Sequence, residues 1–402
     1  MSTLNFMEKL LNGVEVEWKT IGEVFDLKNG YTPSKANAEY WTDGNVPWFR
    51  MEDIRSNGRI LKNAIQSISA SAVKGQLIPA NSLIMSTTAT LGEHALIEVP
   101  FLTNQQITSF TVSNAYCGKI DVKFMFHYFF EFGKWCLENA HKNGGMGIIG
   151  LAKLKQFEIP IPCPDNPKKS LEIQAKIVCI LDTFTELTAE LTAELTARKK
   201  QYNYYRDQLF SFEDGEVEWK TLGKLTENLD SKRKPITSGL RDAGDIPYYG
   251  ASGIVDYVKD YIFDDDLLLV SEDGANLLAR NTPIAFSISG KTWVNNHAHV
   301  LKFDTYAERR FVEFYLNSID LTPYISGAAQ PKLNKKNLEC IRIPNPSPTQ
   351  KEQIVSILDK FDALTSSITE GLPREIELRQ KQYEYYRNLL LSFPKPSSEV
   401  AA

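Results

Sequence analysis

The chain has 402 residues, of which 43% are hydrophobic and 24% charged, and its formal net charge is −5 at pH 7. This length predicts two or three domains, and the composition is that of an ordinary globular protein. Apolar runs such as residues 124–126 and 267–270 are too short for a bilayer, and the first residues lack a secretory signal pattern. Five cysteines without Cys-x-x-Cys spacing favour reduced thiols, so we expect a cytoplasmic protein. The acidic balance does not exclude a local basic face that binds nucleic acid.

Residues 1–162 are predicted to form a first mixed α/β domain. Short β-rich runs at 83–86, 95–99 and 108–112 are separated by Gly, Pro and Asn residues. An aromatic helix is predicted over 122–139, and an apolar strand at 157–162 closes the domain at its prolines.

Residues 163–212 are predicted to contain one long helix, because apolar residues recur at steps of three and four. This stripe consists of Ile173, Ile177, Ile180, Phe184, Leu187, Leu191 and Leu195. Within it, the tetrapeptide Thr-Ala-Glu-Leu occurs at 188–191 and again at 192–195.

Residues 213–346 form the second predicted mixed domain, which also ends in an apolar strand before Pro344. Residues 347–394 contain the second long helix. Gly371 and Pro373 are expected to break it, and a helix is expected to resume over residues 374–392. Residues 395–402 are a predicted flexible tail. Its stripe consists of Ile354, Ile357, Phe361, Leu364, Ile368 and Leu372. Because both stripes need burial, pairing of the two helices is favoured over packing of each helix on its own domain.

The second half repeats the frame of the first. Three segments recur almost unchanged: 16–22 at 217–223, 177–184 at 354–361, and 200–206 at 381–387. The sequences between these anchors differ, which predicts two similar domains with separately tuned contacts. The fold class is therefore predicted as α+β, with two pseudo-repeated mixed α/β domains separated by a coiled-coil-like spacer of two long helices.

The repeated helix ends at 198–206 and 379–387 resemble the specificity subunit of type I restriction–modification systems. The Thr-Ala-Glu-Leu repeat is similar to that of one group within this family. Four segments of the mixed domains resemble the family's target recognition domains, namely 30–34, 45–48, 246–253 and 293–299. The resemblance covers nearly the whole chain.

This resemblance implies a division of labour. Each target recognition domain would read one half of a split sequence in duplex DNA, and the long helices would pair antiparallel and fix the spacing. Two modification subunits would dock on the helices and methylate adenine N6 with S-adenosylmethionine. Restriction subunits, held through the methyltransferase, would add translocation and cleavage with ATP and magnesium. The chain itself would contribute no catalytic residue, metal or cofactor.

Motifs of an independent enzyme are incomplete in this sequence. There is no Pro-Pro pair for a methyltransferase loop, and residues 290–292 end like a phosphate loop but have Ala285 where glycine is required. Residues 145–150 match a dinucleotide fingerprint, yet they follow an aromatic helix, which favours a flexible loop. Residues 17–19 and 218–220 match half a nuclease site without a supporting carboxylate cluster. A stand-alone nuclease or methyltransferase and a scaffold without DNA readout are the alternatives.

Amide and imidazole side chains are candidates for base contacts. Asn104 precedes Phe110 as Asn296 precedes Phe303, and amides can form bidentate pairs with adenine. The alternative is a turn in which the Asn side chains satisfy their own backbone. His297 and His299 are expected on one side of a strand, where zinc is disfavoured because no Cys or third His is near.

The full set of predicted contacts combines these groups with local basic clusters, for which a solvated surface is the alternative. The first-domain candidates are Thr32, Ser34, Arg50, Thr87, Thr88, Asn104, Gln105, Gln106, Lys153 and Lys155. The second-domain candidates are Lys232, Arg233, Lys234, Lys291, Asn295, Asn296, His297, His299, Gln330, Lys332 and Lys335. The candidates for spacer packing and subunit docking are Leu187, Leu191, Leu195, Leu364, Ile368, Leu372, Tyr204, Tyr205, Tyr385 and Tyr386.

Overall fold

The computed structural model describes residues 9–395, apart from residues 12, 144, 145, 214, 328, 329 and 368. The chain forms two compact units. The first runs through Ala189 and resumes at Glu377, and the second is Glu190–Ile376. Each unit thus contains one of the predicted recognition domains together with helical segments from both halves of the sequence.

The first unit is built on a five-stranded sheet (order β2-β9-β6-β7-β4), a three-stranded sheet (β5-β3-β8) and the pairs β1-β12 and β10-β11. Its strands are β1 (Val16–Thr20), β2 (Phe25–Asn29), β3 (Val46–Phe49), β4 (Ile60–Leu61), β5 (Ser67–Ile68), β6 (Ser82–Ser86), β7 (His94–Ile97), β8 (Leu102–Thr103), β9 (Ile107–Val112), β10 (His141–Asn143), β11 (Met146–Ile148) and β12 (Glu158–Pro162). Its short helices and the aromatic helix are α1 (Ile21–Val24), α2 (Met51–Asn57), α3 (Val122–Asn139) and α4 (Leu151–Leu154).

The buried strand β6 shows why this sheet is covered on both faces. Side chains alternate along a strand, so Leu83 and Met85 join the cluster around Phe129 of α3, whereas Ile84 joins a second cluster around Phe49. The predicted aromatic helix is confirmed with its bounds, because its apolar residues are spaced for one buried face.

The second unit repeats this plan with two four-stranded sheets (β14-β21-β18-β19 and β16-β15-β20-β17) and the pair β13-β22. Its strands are β13 (Glu218–Thr221), β14 (Glu227–Asn228), β15 (Ala243–Gly250), β16 (Gly253–Val258), β17 (Phe263–Asp264), β18 (Leu267–Ser271), β19 (Ala285–Ile288), β20 (Lys291–Val294), β21 (Ala298–Lys302) and β22 (Arg342–Asn345). Its domain helices are α6 (Asn276–Ala279), α7 (Tyr306–Ser318) and α8 (Lys335–Glu339).

The predicted long helix is α5 (Pro167–Leu209), which continues unbroken for 43 residues. The second spacer segment is interrupted as predicted and consists of α9 (Pro348–Thr365) and α10 (Gly371–Leu390). Gly371 has a φ of +78°, and a Cβ there would lie 2.3 Å from the carbonyl oxygen of Ala363, so the break requires glycine. Pro373 falls within the first turn of α10, where proline is tolerated, so the helix resumes earlier than the expected Arg374.

The spacer helices contact each other through repeated aromatic pairs. In the first unit Phe184 of α5 stacks on Tyr386 of α10 at 5.1 Å, and in the second unit Tyr205 of α5 stacks on Phe361 of α9 at 5.8 Å. The stripe leucines Leu187, Leu191, Leu195, Leu364 and Leu372 are half-buried, and Ile368 lies outside the described residues.

An aspartate repeated in both spacer segments ties each long helix to its recognition domain. Asp182 is 2.8 Å from Lys123 of α3, and its counterpart Asp359 is 2.8 Å from Arg310 of α7. The Leu-Asp-x-Phe anchor therefore recurs because the same helix-to-domain junction occurs twice.

The repeated segments at 16–22 and 217–223 have a structural role. Each lies at a seam where the first strand of a domain pairs with its closing strand. Strand β1 pairs with the closing strand β12, and Trp18 Nε1 donates to the carbonyl of Pro394 at 3.0 Å. Lys19 pairs with Glu17 at 2.7 Å, so the Glu-x-Lys motif is an ion pair on this seam.

The loop expected at 145–150 is wrong in part: β10 and β11 form a two-stranded hairpin, with Gly145 outside the described residues.

No helix in the described part of the chain combines the length and the apolar character that a membrane span requires.

Candidate nucleic-acid interface

The two mixed domains share a backbone frame at one end of their central sheets. The amide of Thr87 donates to the carbonyl of Gln106 at 2.9 Å in the first domain. The amide of Glu272 donates to the carbonyl of His297 at 2.9 Å in the second. Thr87 and Glu272 therefore occupy equivalent positions, as do Gln106 and His297, so different side chains are carried on the same scaffold.

The asparagines before these positions begin a turn in each domain. Asn104 Oδ1 accepts from the amide of Gln106 at 3.2 Å, and Asn295 Oδ1 accepts from the amide of His297 at 2.8 Å. The equivalent of Asn104 is thus Asn295, whereas the sequence comparison paired it with Asn296. Both asparagines accept from the backbone of their own turn through Oδ1, as the turn alternative expects.

A cavity of about 850 Å³ in the second domain gathers three predicted residues, His297, Gln330 and Lys332. His297 is half-exposed, and its Nδ1 lies 2.9 Å from Asp273, which also lines the cavity. Lys332 Nζ is 3.1 Å from Glu272. The remaining lining residues are Gly274, Ala275, Leu278, Ala279 and Pro331.

A cavity of about 660 Å³ in the first domain gathers five predicted residues. Strands β3 and β8 run parallel, with Trp48 opposite Leu102, so their carboxyl ends bring Arg50 next to Asn104. The hydroxyl of Thr32 donates to Gln105 Oε1. The lining contains two basic residues and no carboxylate, and it consists of Thr32, Lys35, Ala38, Trp41, Thr42, Trp48, Arg50, Gln66, Asn104, Gln105 and Gln106.

Two tryptophans form a rigid wall of this cavity. The rings of Trp41 and Trp48 meet edge to face at 5.1 Å. Their Nε1 groups donate to the carbonyls of Ser34 at 3.1 Å and Tyr31 at 3.0 Å, which fixes both ring planes. Sequence reasoning marked Trp48 only as part of a family-like segment and did not identify Trp41, because the contact between the two rings depends on tertiary packing.

A buried ion network supports the second cavity from behind. His299 Nδ1 is 2.6 Å from Asp230 and its Nε2 is 2.7 Å from the carbonyl of Leu333, so both ring nitrogens face acceptors. Arg233 is 2.6 Å from Glu272 and 3.4 Å from Asp230. Burial alone would raise the pKa of Asp230, but the hydrogen bond with His299 and the charge of Arg233 bring this pKa below its usual value.

This network corrects two site predictions. His299 is fully buried, and Arg233 is held by two carboxylates, so neither side chain is presented to DNA. Asp230, Glu272 and His299 offer ligand atoms within 4.8 Å of one another, a spacing that could suit a metal ion. The guanidinium of Arg233 already contacts both carboxylates, however, and supplies the positive charge that an ion would bring.

The first domain has neutral groups at the equivalent positions. The hydroxyl of Thr108 donates to Asn29 Oδ1 at 2.8 Å and lies 3.2 Å from the hydroxyl of Thr87. This contact with Asn29 corresponds to that of the His299 ring with Asp230. The two domains thus share a scaffold but differ in the charge of the network behind the cavity.

The other candidates lie outside the two cavities. Lys153 sits over the ring of Trp135 at 5.4 Å, and Lys291 over that of Tyr261 at 4.8 Å. Lys335 pairs with Glu339 at 3.6 Å. The candidates outside the cavity linings are Ser34, Thr87, Thr88, Lys153, Lys155, Lys232, Arg233, Lys234, Lys291, Asn295, Asn296, His299 and Lys335.

Comparison with known proteins agrees with the twofold organisation. The sequence profile of the family described as "Type I restriction modification DNA specificity domain" matches residues 13–198 and again residues 215–378. The chain is 45% identical over 380 residues to the type I restriction enzyme EcoprrI specificity subunit of Escherichia coli, covering 92% of this chain and 93% of that protein. It is 34% identical over 424 residues to the type I restriction enzyme EcoR124I/EcoR124II specificity subunit of Escherichia coli, covering 99% of each.

The fold has a counterpart among solved structures. A crystal structure of a type I restriction–modification system S subunit from M. genitalium superposes with a TM-score of 0.58 at 17% identity. The similarity covers 96% of this chain and 98% of that one. The resemblance noted in the sequence is thereby confirmed at the level of both family and fold.

Proposed function

Because the chain belongs to the family of type I restriction–modification DNA specificity subunits, we propose that it directs partner subunits to a split sequence in duplex DNA. The observation that carries this proposal is the double use of one scaffold. Each recognition domain presents a polar cavity beside the same turn, with Gln106 in the first and His297 in the second. Each domain reads one half-site.

The two half-sites differ in sequence, since the two cavities differ in chemistry. The first is lined by neutral amides, hydroxyls and two cations, whereas the second combines His297 and Lys332 with Asp273. Amide and guanidinium groups pair with purine edges in the major groove, and carboxylates accept from cytosine. An asymmetric target follows, with half-site centres about one helical turn, roughly 10 bp, apart.

The helix ends are the proposed docking surface for two modification subunits. Tyr204 and Tyr385 are 59% and 57% exposed, and each meets its neighbour, Tyr205 or Tyr386, edge to face. Exposed aromatic pairs are typical of protein interfaces. Because the same pair occurs once in each unit, two identical partners can bind in equivalent ways.

The chemistry belongs to the partners in this proposal. The modification subunits carry S-adenosylmethionine and methylate adenine N6, and the restriction subunits, bound through them, carry ATP and magnesium. The chain supplies the DNA address and works in the cytoplasm. In this proposal Asp230, Glu272 and His299 do not form a catalytic metal site, because Arg233 contacts both carboxylates.

The test is co-expression of the chain with a type I modification subunit in a host that lacks N6-methyladenine. Sequencing that detects the modified base is expected to find methylation confined to one split motif with a fixed gap. The modification subunit expressed alone is the control. A stable purified complex that leaves the genome unmethylated would refute the proposal.

A further inference from the structure

Arg50 stands in the wall of the first-domain cavity with part of its guanidinium group unused. Its Nε is buried and has no hydrogen-bond partner among the described residues, while Nη2 lies 2.9 Å from Glu52. A buried donor without a partner is costly and rare in folded proteins. The side chain as a whole is 29% exposed and lines the cavity, and one of its donors is unsatisfied, which favours a ligand that brings hydrogen-bond acceptors into the cavity.

The backbone of Arg50 is fixed before any ligand arrives. Its amide donates to Asp53 Oδ2 at 2.7 Å, which caps helix α2, and the buried Asp53 also accepts from the amide of Ile65 at 2.6 Å. The guanidinium carbon lies 5.7 Å from the centre of the Trp48 ring. A cation held in this way has little conformational freedom left to lose on binding, which favours specific over non-specific contacts.

The surroundings define the ligand as an electronegative but uncharged edge. Arg50 and Lys35 are the basic residues of a lining that has no carboxylate, and the amide of Gln66 faces the same space. Glu52, which contacts Nη2 from outside the lining, would repel a phosphate. Guanine presents two acceptors, O6 and N7, whose spacing matches the arginine fork in the major groove.

We propose that Arg50 reads one guanine of the first half-site through O6 and N7. This inference rests on the proposed function and deepens it by naming a base for one residue. The second domain has no counterpart, because Gly250 occupies the equivalent position: Tyr248 lies opposite Trp293 as Trp48 lies opposite Leu102. Guanine reading from this strand end is a property of the first domain alone.

The experiment uses the complex of the full chain with its modification subunits, after the motif has been mapped by methylation sequencing. Binding is measured to duplexes in which each guanine of the first half-site is replaced, one at a time, by 7-deazaguanine, which lacks the N7 acceptor. The wild-type complex is expected to lose roughly 5- to 50-fold in affinity at one position. Arg50→Gln is expected to bind the natural duplex more weakly and to lose nothing further at that position.

Two variants separate the contact from charge and from folding. Arg50→Lys keeps the charge and a donor but not the fork, so its 7-deazaguanine effect is expected to be smaller than that of the wild type. Arg55→Gln removes the same charge from helix α2, at a residue that pairs with Glu93 at 3.3 Å, and is expected to respond as the wild type does. Thermal unfolding of each complex confirms that the variants fold.

Several results would overturn the inference while leaving the proposed function intact. One is a methylated split motif whose first half contains no guanine. Another is a 7-deazaguanine effect of unchanged size in Arg50→Gln. A uniform loss of affinity for every duplex, with a shallower salt dependence, would assign Arg50 to a phosphate instead.

Discussion

Deletion of residues 192–195, one Thr-Ala-Glu-Leu unit, tests whether the spacer helix sets the gap between the half-sites. These residues lie within α5, which is continuous across the boundary between the two units at Ala189 and Glu190. The deletion removes no residue of either cavity. The expected result is a shorter preferred gap with both half-site sequences unchanged.

The size of the effect follows from helix geometry. Four residues at ~1.5 Å each shorten α5 by about 6 Å and turn its end by about 40°. One base pair of DNA contributes ~3.4 Å of rise, so 6 Å corresponds to at most about two base pairs. One base pair also turns the duplex by roughly 35°, close to the rotation of the shortened helix. The gap is therefore expected to shrink by one or two base pairs.

The assay is methylation sequencing of the deletion variant co-expressed with its modification subunit. Thr192→Ala, which keeps the length of the helix, is the matched control and is expected to retain the original gap. A deletion variant that methylates the original gap, or one that changes the bases of a half-site, would refute the reasoning.

Two further predictions concern stability. Burial, reinforced by the nearby Arg59 guanidinium, lowers the pKa of His94 to about 3 although two carbonyls contact its ring. The unfolded chain protonates His94 near pH 6.5, whereas the folded chain does not. The full stability is therefore present above pH 6.5, and the free energy of unfolding decreases as the pH is lowered, by about 2 kcal/mol at pH 5. Urea unfolding at pH 7 and 5 measures this, and His94→Gln should flatten the difference; an equal slope in both proteins would contradict it. Phe393→Ala, at a residue 7% exposed, is expected to cost roughly 3 kcal/mol. Tyr385→Ala, 57% exposed, is the control and is expected to stay within ~0.5 kcal/mol, so equal losses in the two variants would contradict the packing described here.

The fold was predictable where local pattern determines it. The stripe of α5 and the aromatic face of α3 extend over many turns, so their periodicity identified both helices. The strands β10 and β11 have three residues each, too short for alternation to show, so the sequence pattern at 145–150 predicts a loop where β11 lies. The return of the chain to the first unit at Glu377 was not predictable either, because it depends on contacts such as that of Trp18 with Pro394, 376 positions away.

The turns of the candidate site were predictable from the sequence, but the contacts of its side chains were not. The polar segments around Gln106 and His297 were found because amides and imidazoles stand out beside apolar strands. Arg233 and His299 looked equally available in the sequence, but Glu272, a residue 39 positions from Arg233, turns them into internal supports. The cavity beside Arg50 arises from the parallel pairing of β3 and β8, which no local pattern indicates.

In the proposed function, two copies of one scaffold read two half-sites independently. Gln106→Ala and His297→Ala change equivalent positions in the two domains, and methylation sequencing of each variant complex tests this independence. Gln106→Ala is expected to relax or weaken recognition only in the first half-site and His297→Ala only in the second, with the gap unchanged. Loss of specificity in both half-sites from either single substitution would contradict it.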